Sequence, residues 1–240
     1  MRRVHEVKKT TDNPYLNMYE LDMVNDKKEH STYYMASRTP QIDQLKLNTG
    51  VNKADGVIIY AVYKGEHKDD HSQEEKLVLI RQYRATLNGF IYEFPAGLVD
   101  DGETFKFAGG RERYEETGLT FEPADADDMF TKPFFTTIGM TDESCGTVYG
   151  YAYGVPSKSG QEATEEIDIV LADRAEVRRI LKEERVAIMC AYMLMHFLNT
   201  PEGHALDFLK NGDEAETEVW KKTSKSAIID AADASEKRKE

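Results

Sequence analysis

Residues 97–119 read GLVDDGETFKFAGGRERYEETGL, and this stretch constrains the chain more than any other. Gly97 opens it, Glu103 follows six residues on, and Arg111 and Glu112 come eight and nine further along. Glu115, Glu116, Gly118 and Leu119 close it. On an α-helix, Glu112, Glu115 and Glu116 stand at i, i+3 and i+4, within roughly a third of a turn of one another. Carboxylates held that close repel unless something positive joins them. Hard divalent cations favour such oxygen donors and often bring phosphates with them, so the spacing points to a metal site for phosphate chemistry. A solvated acidic face is the plain alternative. The loop and strand signals on either side argue against it.

The same residues resemble the Nudix box, G-x5-E-x7-R-E-U-x-E-E-x-G-U, in which U is a bulky aliphatic. Gly97, Glu103, Arg111, Glu112, Glu115, Glu116, Gly118 and Leu119 fill fixed positions, and Arg113 departs from the pattern at U. Further segments are similar to the ADP-ribose pyrophosphatase branch of that family: RQYR at 81–84, YEFPAG at 92–97 and IGMTDE at 138–143. The resemblance covers roughly residues 50 to 200.

It implies an α/β fold, a Nudix-type α/β/α sandwich around a mixed sheet, preceded by a small antiparallel β segment. It also implies hydrolysis of ADP-ribose to AMP and ribose 5-phosphate. Two alternatives stay open: a pyrophosphatase of another nucleotide sugar or dinucleotide, and a non-catalytic ADP-ribose-binding regulator. The cofactor implied is Mg²⁺, with Mn²⁺ as a substitute. Glu112, Glu116, then Glu115 and the Ala96 carbonyl are the implied metal ligands, and Arg111 braces the box, pairing with a carboxylate such as Glu103. Arg84, Arg81, Glu93, Gly139, Asp142 and Glu143 are candidates for substrate contacts, since guanidinium forks suit phosphate oxygens. For Arg81 a solvated strand position is the favoured reading. Glu93 either orients the base or supports the loop. A loop glutamate ahead of a late strand supplies the general base in this branch, and Glu165 or Glu166 fills that slot, with Glu162 third. The N-terminal segment of that branch exchanges between subunits, so a homodimer is expected.

Composition narrows the partners. The 240 residues suit one sizeable domain plus an appendage. A net charge of −13 makes nucleic acid a poor partner, although metal and a few arginines can invert the field locally for a small nucleotide. Cys145 and Cys190 are too few for a disulfide framework or a zinc site, and reduced thiols in a cytoplasm are expected. Cys145 lacks a visible base partner and reads as structural. The N-terminus lacks an apolar signal core, and the longest apolar run, 187–198, is too short and mixed to span a bilayer.

Along the chain, residues 1–50 form an N-terminal β segment, a hairpin or three-stranded unit, with strands predicted at 15–24 and 31–37 around an Asn25-Asp26 turn. The main domain runs over 51–200, and 201–240 is a charged tail with one weak helix predicted around 214–229. Within the main domain, strands are predicted at 56–63, 77–83, 91–94, 147–155 and 167–171, and helices at 175–181 and 186–198. Gly118 is the expected cap of the glutamate helix. Gly109 and Gly110 weaken that helix unless their smallness lets the preceding loop or another backbone come close. His196 reads as a packed histidine, and Tyr149, Tyr151 and Tyr153 as one wet face of a sheet.

Overall fold

The computed structural model describes residues 3–68, 74–100, 102–161 and 166–210. Strands β1 (Arg3–Lys9), β2 (Asn17–Val24) and β3 (His30–Ser37) pair antiparallel in that order. On β2 the inward positions alternate, and Tyr19 and Leu21 join Met35 and Leu45 in a small core of their own. The turn between β2 and β3 is built by Asn25, whose side-chain oxygen accepts the backbone N–H of Lys27 and Glu29 at 2.9 Å each. β1 was not foreseen, because its sequence, RVHEVKK, is charged and mostly exposed. As an edge strand it needs ladder partners on one side only, and its charges suit an edge.

After helix α1 (Lys46–Thr49), which Gly50 ends in the left-handed region at φ 69°, the chain enters the main sheet. Its strands are β4 (Gly56–Gly65), β5 (Lys76–Arg84), β6 (Gly89–Glu93), β7 (Ala96–Leu98), β8 (Thr120–Pro123), β9 (Phe134–Phe135), β10 (Ser144–Tyr153) and β11 (Ile167–Ala172). The order is β11-β5-β4-β10-β8, with β6 on β5, β7 on β4 and β9 on β10. β4 and β10 run parallel and the other pairs antiparallel, so the sheet is mixed.

The helices are α2 (Phe105–Thr117), α3 (Asp128–Thr131), α4 (Arg174–Glu183) and α5 (Ile188–Asn199). Alternation along the central strands explains why they cover both faces. Val57, Ile59 and Ala61 of β4 pack with Val78, Val148 and Ala108 of α2. Tyr60 and Val62, pointing the other way, pack with Leu77, Leu79 and the α4–α5 residues Val177, Ile180, Leu194 and Phe197. A strand covered on both faces reads as a near-continuous apolar run, which is what GVIIYAV and LVLI are. The result is the α/β/α sandwich expected.

Two local readings change. A Cβ on Gly109 would lie 2.7 Å from Val148 Cγ2 and 3.2 Å from Val57 Cγ2. Its smallness therefore seats α2 on the side chains of β4 and β10, rather than admitting a loop or another backbone. Tyr149 is only 8% exposed and not wet. Its ring lies 5.8 Å from Tyr60 and 5.5 Å from Phe208, because the segment after α5 folds back and buries Ala205, Leu206 and Leu209 in the same core. The helix predicted at 214–229 lies outside the described residues. Among the described residues no helix is long and apolar enough to cross a membrane.

Candidate active site

The site begins with a short loop. β6 ends at Glu93, Pro95 donates nothing to the ladder, and β7 returns along β4 in the register Gly56↔Leu98, Val57↔Gly97 and Ile58↔Ala96. Pro95's carbonyl accepts Ile59 N–H at 2.9 Å, which pins the loop to the central strand. α2 follows, opened by Thr104, whose hydroxyl accepts Phe107 N–H at 3.3 Å, and closed by Gly118 at φ 66°.

Loop and helix meet at two carboxylates. Glu116, 3% exposed, accepts Ala96 N–H at 3.1 Å through Oε2. Glu112 lies so close to the loop that a Cβ on Gly97 would fall 1.9 Å from its Cδ. Only glycine at 97 lets this carboxylate rest there. Arg111 ties the other acids together. It donates to Glu112 at 2.9 Å and Glu115 at 3.1 Å from Nη1, to Glu103 at 3.4 Å from Nε, and to the Leu98 carbonyl at 3.3 Å. The hydrogen bond from Arg111 holds the Glu103 carboxyl below its ordinary range, and the same bond raises the arginine's own pKa.

Ala96, Gly97, Glu112 and Glu116 line a cavity of about 660 Å³, which is within the size range of small-molecule sites. Arg84 and Glu93 line another part of it, with Arg84 Nε 2.8 Å from Glu93 Oε2. Arg38 and Glu143 form a second such pair at 2.9 Å on the same cavity. Arg38 was not foreseen, while Gln82, another lining residue, falls within the RQYR segment. No local signal marks Arg38, which follows β3 of the N-terminal sheet and reaches the cavity only through tertiary packing. Cys145 also lines it, and burial, aided by Glu143, pushes its thiol up to about 12. It is therefore a neutral thiol at neutral pH, no nucleophile.

Other candidates lie elsewhere. Arg81 ion-pairs with Asp168 at 3.3 Å and stacks 3.9 Å from the Phe90 ring centroid, outside the cavity lining. Gly139 and Asp142 belong to a segment docked on β3: Gly139's carbonyl accepts the Tyr33 hydroxyl at 2.5 Å, and Met140's accepts Ala36 N–H at 2.8 Å. Glu166 is exposed at the foot of β11, its carbonyl accepting Tyr83 N–H at 3.1 Å. Glu162 and Glu165 lie outside the described residues. His196 packs edge-on to Phe208 at 4.7 Å, and burial lowers its pKa.

A family model of the NUDIX domain matches residues 53–187. The chain belongs to the Nudix family. A putative Nudix hydrolase 2 of Caenorhabditis elegans is 33% identical over 127 residues, which are 51% of this chain and 53% of that protein. The ADP-sugar pyrophosphatase of Mus musculus is 34% identical over 101 residues, 41% of this chain and 44% of that protein. The chain thus spans about half the length of these relatives. The crystal structure of an ADP compounds hydrolase shares the fold, with a TM-score of 0.51 at 18% identity, covering 76% of this chain and 83% of that one.

Nudix hydrolases generally use divalent metal ions. Glu112, Glu116 and the Ala96 backbone offer hard oxygen donors on one cavity wall. Such a set suits an ion that takes one or two carboxylates and completes its shell with water and phosphate oxygens. Among the described residues, no three His, Cys, Asp or Glu side chains converge into a cage that would hold an ion by themselves. Arg111 draws Glu112, as well as Glu103 and Glu115, towards itself.

Proposed function

We propose that this Nudix protein is a Mg²⁺-dependent hydrolase that cleaves ADP-ribose to AMP and ribose 5-phosphate. The observation that carries the reading is one cavity on which the box carboxylates Glu112 and Glu116 share the wall with Arg84 and Arg38. Acids that can hold a cation and guanidinium forks that can grip phosphate oxygens are what a diphosphate ester requires on either side. The likeness to an ADP-sugar pyrophosphatase supports the substrate class.

Glu112 and Glu116, with the Ala96 carbonyl and Glu115, would hold Mg²⁺, or Mn²⁺ in its place. When bound, the ion would neutralise pyrophosphate oxygens and lower the pKa of a water beside them. Arg111 keeps Glu112 and Glu115 in place. Arg84 and Arg38, released from Glu93 and Glu143, bind the phosphates or terminal ribose. The water oxygen bonds to phosphorus, the bridging P–O bond breaks, and the water's proton passes to Glu165 or Glu166. The N-terminal sheet completes the site in a homodimer.

Chromatographic product analysis tests the reading. The full chain is incubated with Mg²⁺ and ADP-ribose, ADP-glucose, GDP-mannose, NADH or diadenosine polyphosphates. AMP released from ADP-ribose faster than from the others is expected. Faster cleavage of another member would replace the substrate, and ADP-ribose bound but uncut would replace the enzyme by a sensor.

A further inference from the structure

Arg113 is the box residue that the chemistry above leaves unused. It is 9% exposed, and its Nε and Nη1 have no hydrogen-bond partner in the protein. Its Nη2 donates to the Gly110 carbonyl at 3.2 Å, and its guanidinium sits 5.5 Å from the Phe121 ring centroid. An arginine stays charged in proteins, and a buried charge without a counter-charge is strongly unfavourable. Among the described residues no ion pair supplies that counter-charge.

Arg113 lines a cavity of about 320 Å³ that is separate from the box cavity. Lys106, Gly110 and Arg113 recur at i, i+4 and i+7, so one face of α2 forms a wall. Glu112 and Glu116 belong to a different face. Phe121 and Thr131 of α3 also line it. Thr131 is 4% exposed, and its hydroxyl also lacks a partner. Two buried polar side chains from different elements therefore line one hollow, and Arg113 Nε and Nη1 and the Thr131 hydroxyl lie unused just beneath its surface. Buried polar groups are otherwise nearly always satisfied. Asp125, also lining the cavity, opposes a crowd of negative charges and favours a ligand with a single anionic head.

We propose that this cavity is a second ligand site, taking the phosphate or carboxylate head of a small organic anion as the counter-charge of Arg113, with Thr131 beside it. It does not depend on the substrate assigned to the box cavity.

Calorimetric titration of the full chain, free of divalent metal, with inorganic phosphate and separately with acetate tests it. The two probes separate the phosphate from the carboxylate source. Saturable binding of at least one is expected. Arg113→Leu should weaken it by about tenfold or more, as loss of a charge-assisted contact does. Thr131→Val, which leaves the charge in place, should weaken it several-fold and serves if the leucine variant fails to fold. Arg84→Ala removes any phosphate held in the other cavity, and the binding that remains is the one expected to respond to Arg113→Leu and Thr131→Val. Absence of saturable binding by either probe overturns the proposal. So does binding that survives both Arg113→Leu and Thr131→Val, or that disappears only in Arg84→Ala.

Discussion

At Gly97 a missing side chain does what no other residue could. The backbone conformation there is ordinary, and the requirement is space: an added methyl would coincide with the Glu112 carboxylate at 1.9 Å. Gly97→Ala must push Glu112 off the loop. Misplacing a catalytic group by about 1 Å lowers rates roughly a hundredfold. A fall of that order in Mg²⁺-dependent turnover is expected, with the circular dichroism of the fold unchanged. Near-normal turnover would show that Glu112 has no part in the chemistry. The spacing of Glu112 and Glu116 was legible in the sequence because helical geometry is local. Arg38 was not, since it comes to Glu143 across 105 residues of chain. Gly139 and Asp142 lie in a motif that suggested substrate contacts, yet that segment docks on β3 through Tyr33 and Ala36.

The element that matters most is α2, and its own sequence holds it weakly. Two glycines lie within it, and each lowers helix stability by roughly 0.5–1 kcal/mol relative to alanine. Its ends and its seat compensate. Thr104 caps the start, Gly109 lets the helix settle on Val57 and Val148, and Gly118 ends it with its N–H on the Tyr114 carbonyl at 2.9 Å. Gly118→Ala would force a Cβ into the left-handed region and to within 2.8 Å of Ser157 Cβ. The strain is about 1–2 kcal/mol before the clash. A drop of several degrees in the melting midpoint is expected by scanning calorimetry at roughly 2–4 °C per kcal/mol. An unchanged midpoint would mean that this end frays freely.

For the whole molecule, two features reach beyond the single chain and neutral pH. The outer face of the N-terminal sheet, opposite Tyr19 and Leu21, exposes Tyr34 and Met18, 57% and 39% accessible. An apolar patch of this kind suits a partner surface, and a second copy is the one expected. Light scattering should give about twice the 27.3 kDa chain mass. A monomer at micromolar concentration would contradict the expectation. Burial also keeps several groups neutral. The Cys145 thiol is raised to about 12, and Cys190 and Tyr60 shift in the same direction. In the unfolded chain a thiol ionises near its ordinary value of about 8.5. Stability from these groups is therefore complete below that value and is lost as pH climbs towards 12. The urea midpoint should fall between about pH 9 and pH 12, and Cys145→Ala should flatten part of that fall.

The sequence by itself determined the box helix, its carboxylates and its cap. It also marked the apolar strands of the two-faced sheet, because periodicity and capping act over a few residues. It carried little information on β1, whose charged strand is defined only by its neighbour β2, or on Tyr149, which the segment after α5 buries. Only the tertiary structure set Arg38 and Arg84 on one cavity with the box glutamates, and only it left Arg113 buried without a counter-charge. Those are long-range matters. They depend on which surfaces meet once the elements pack, and no local pattern encodes that.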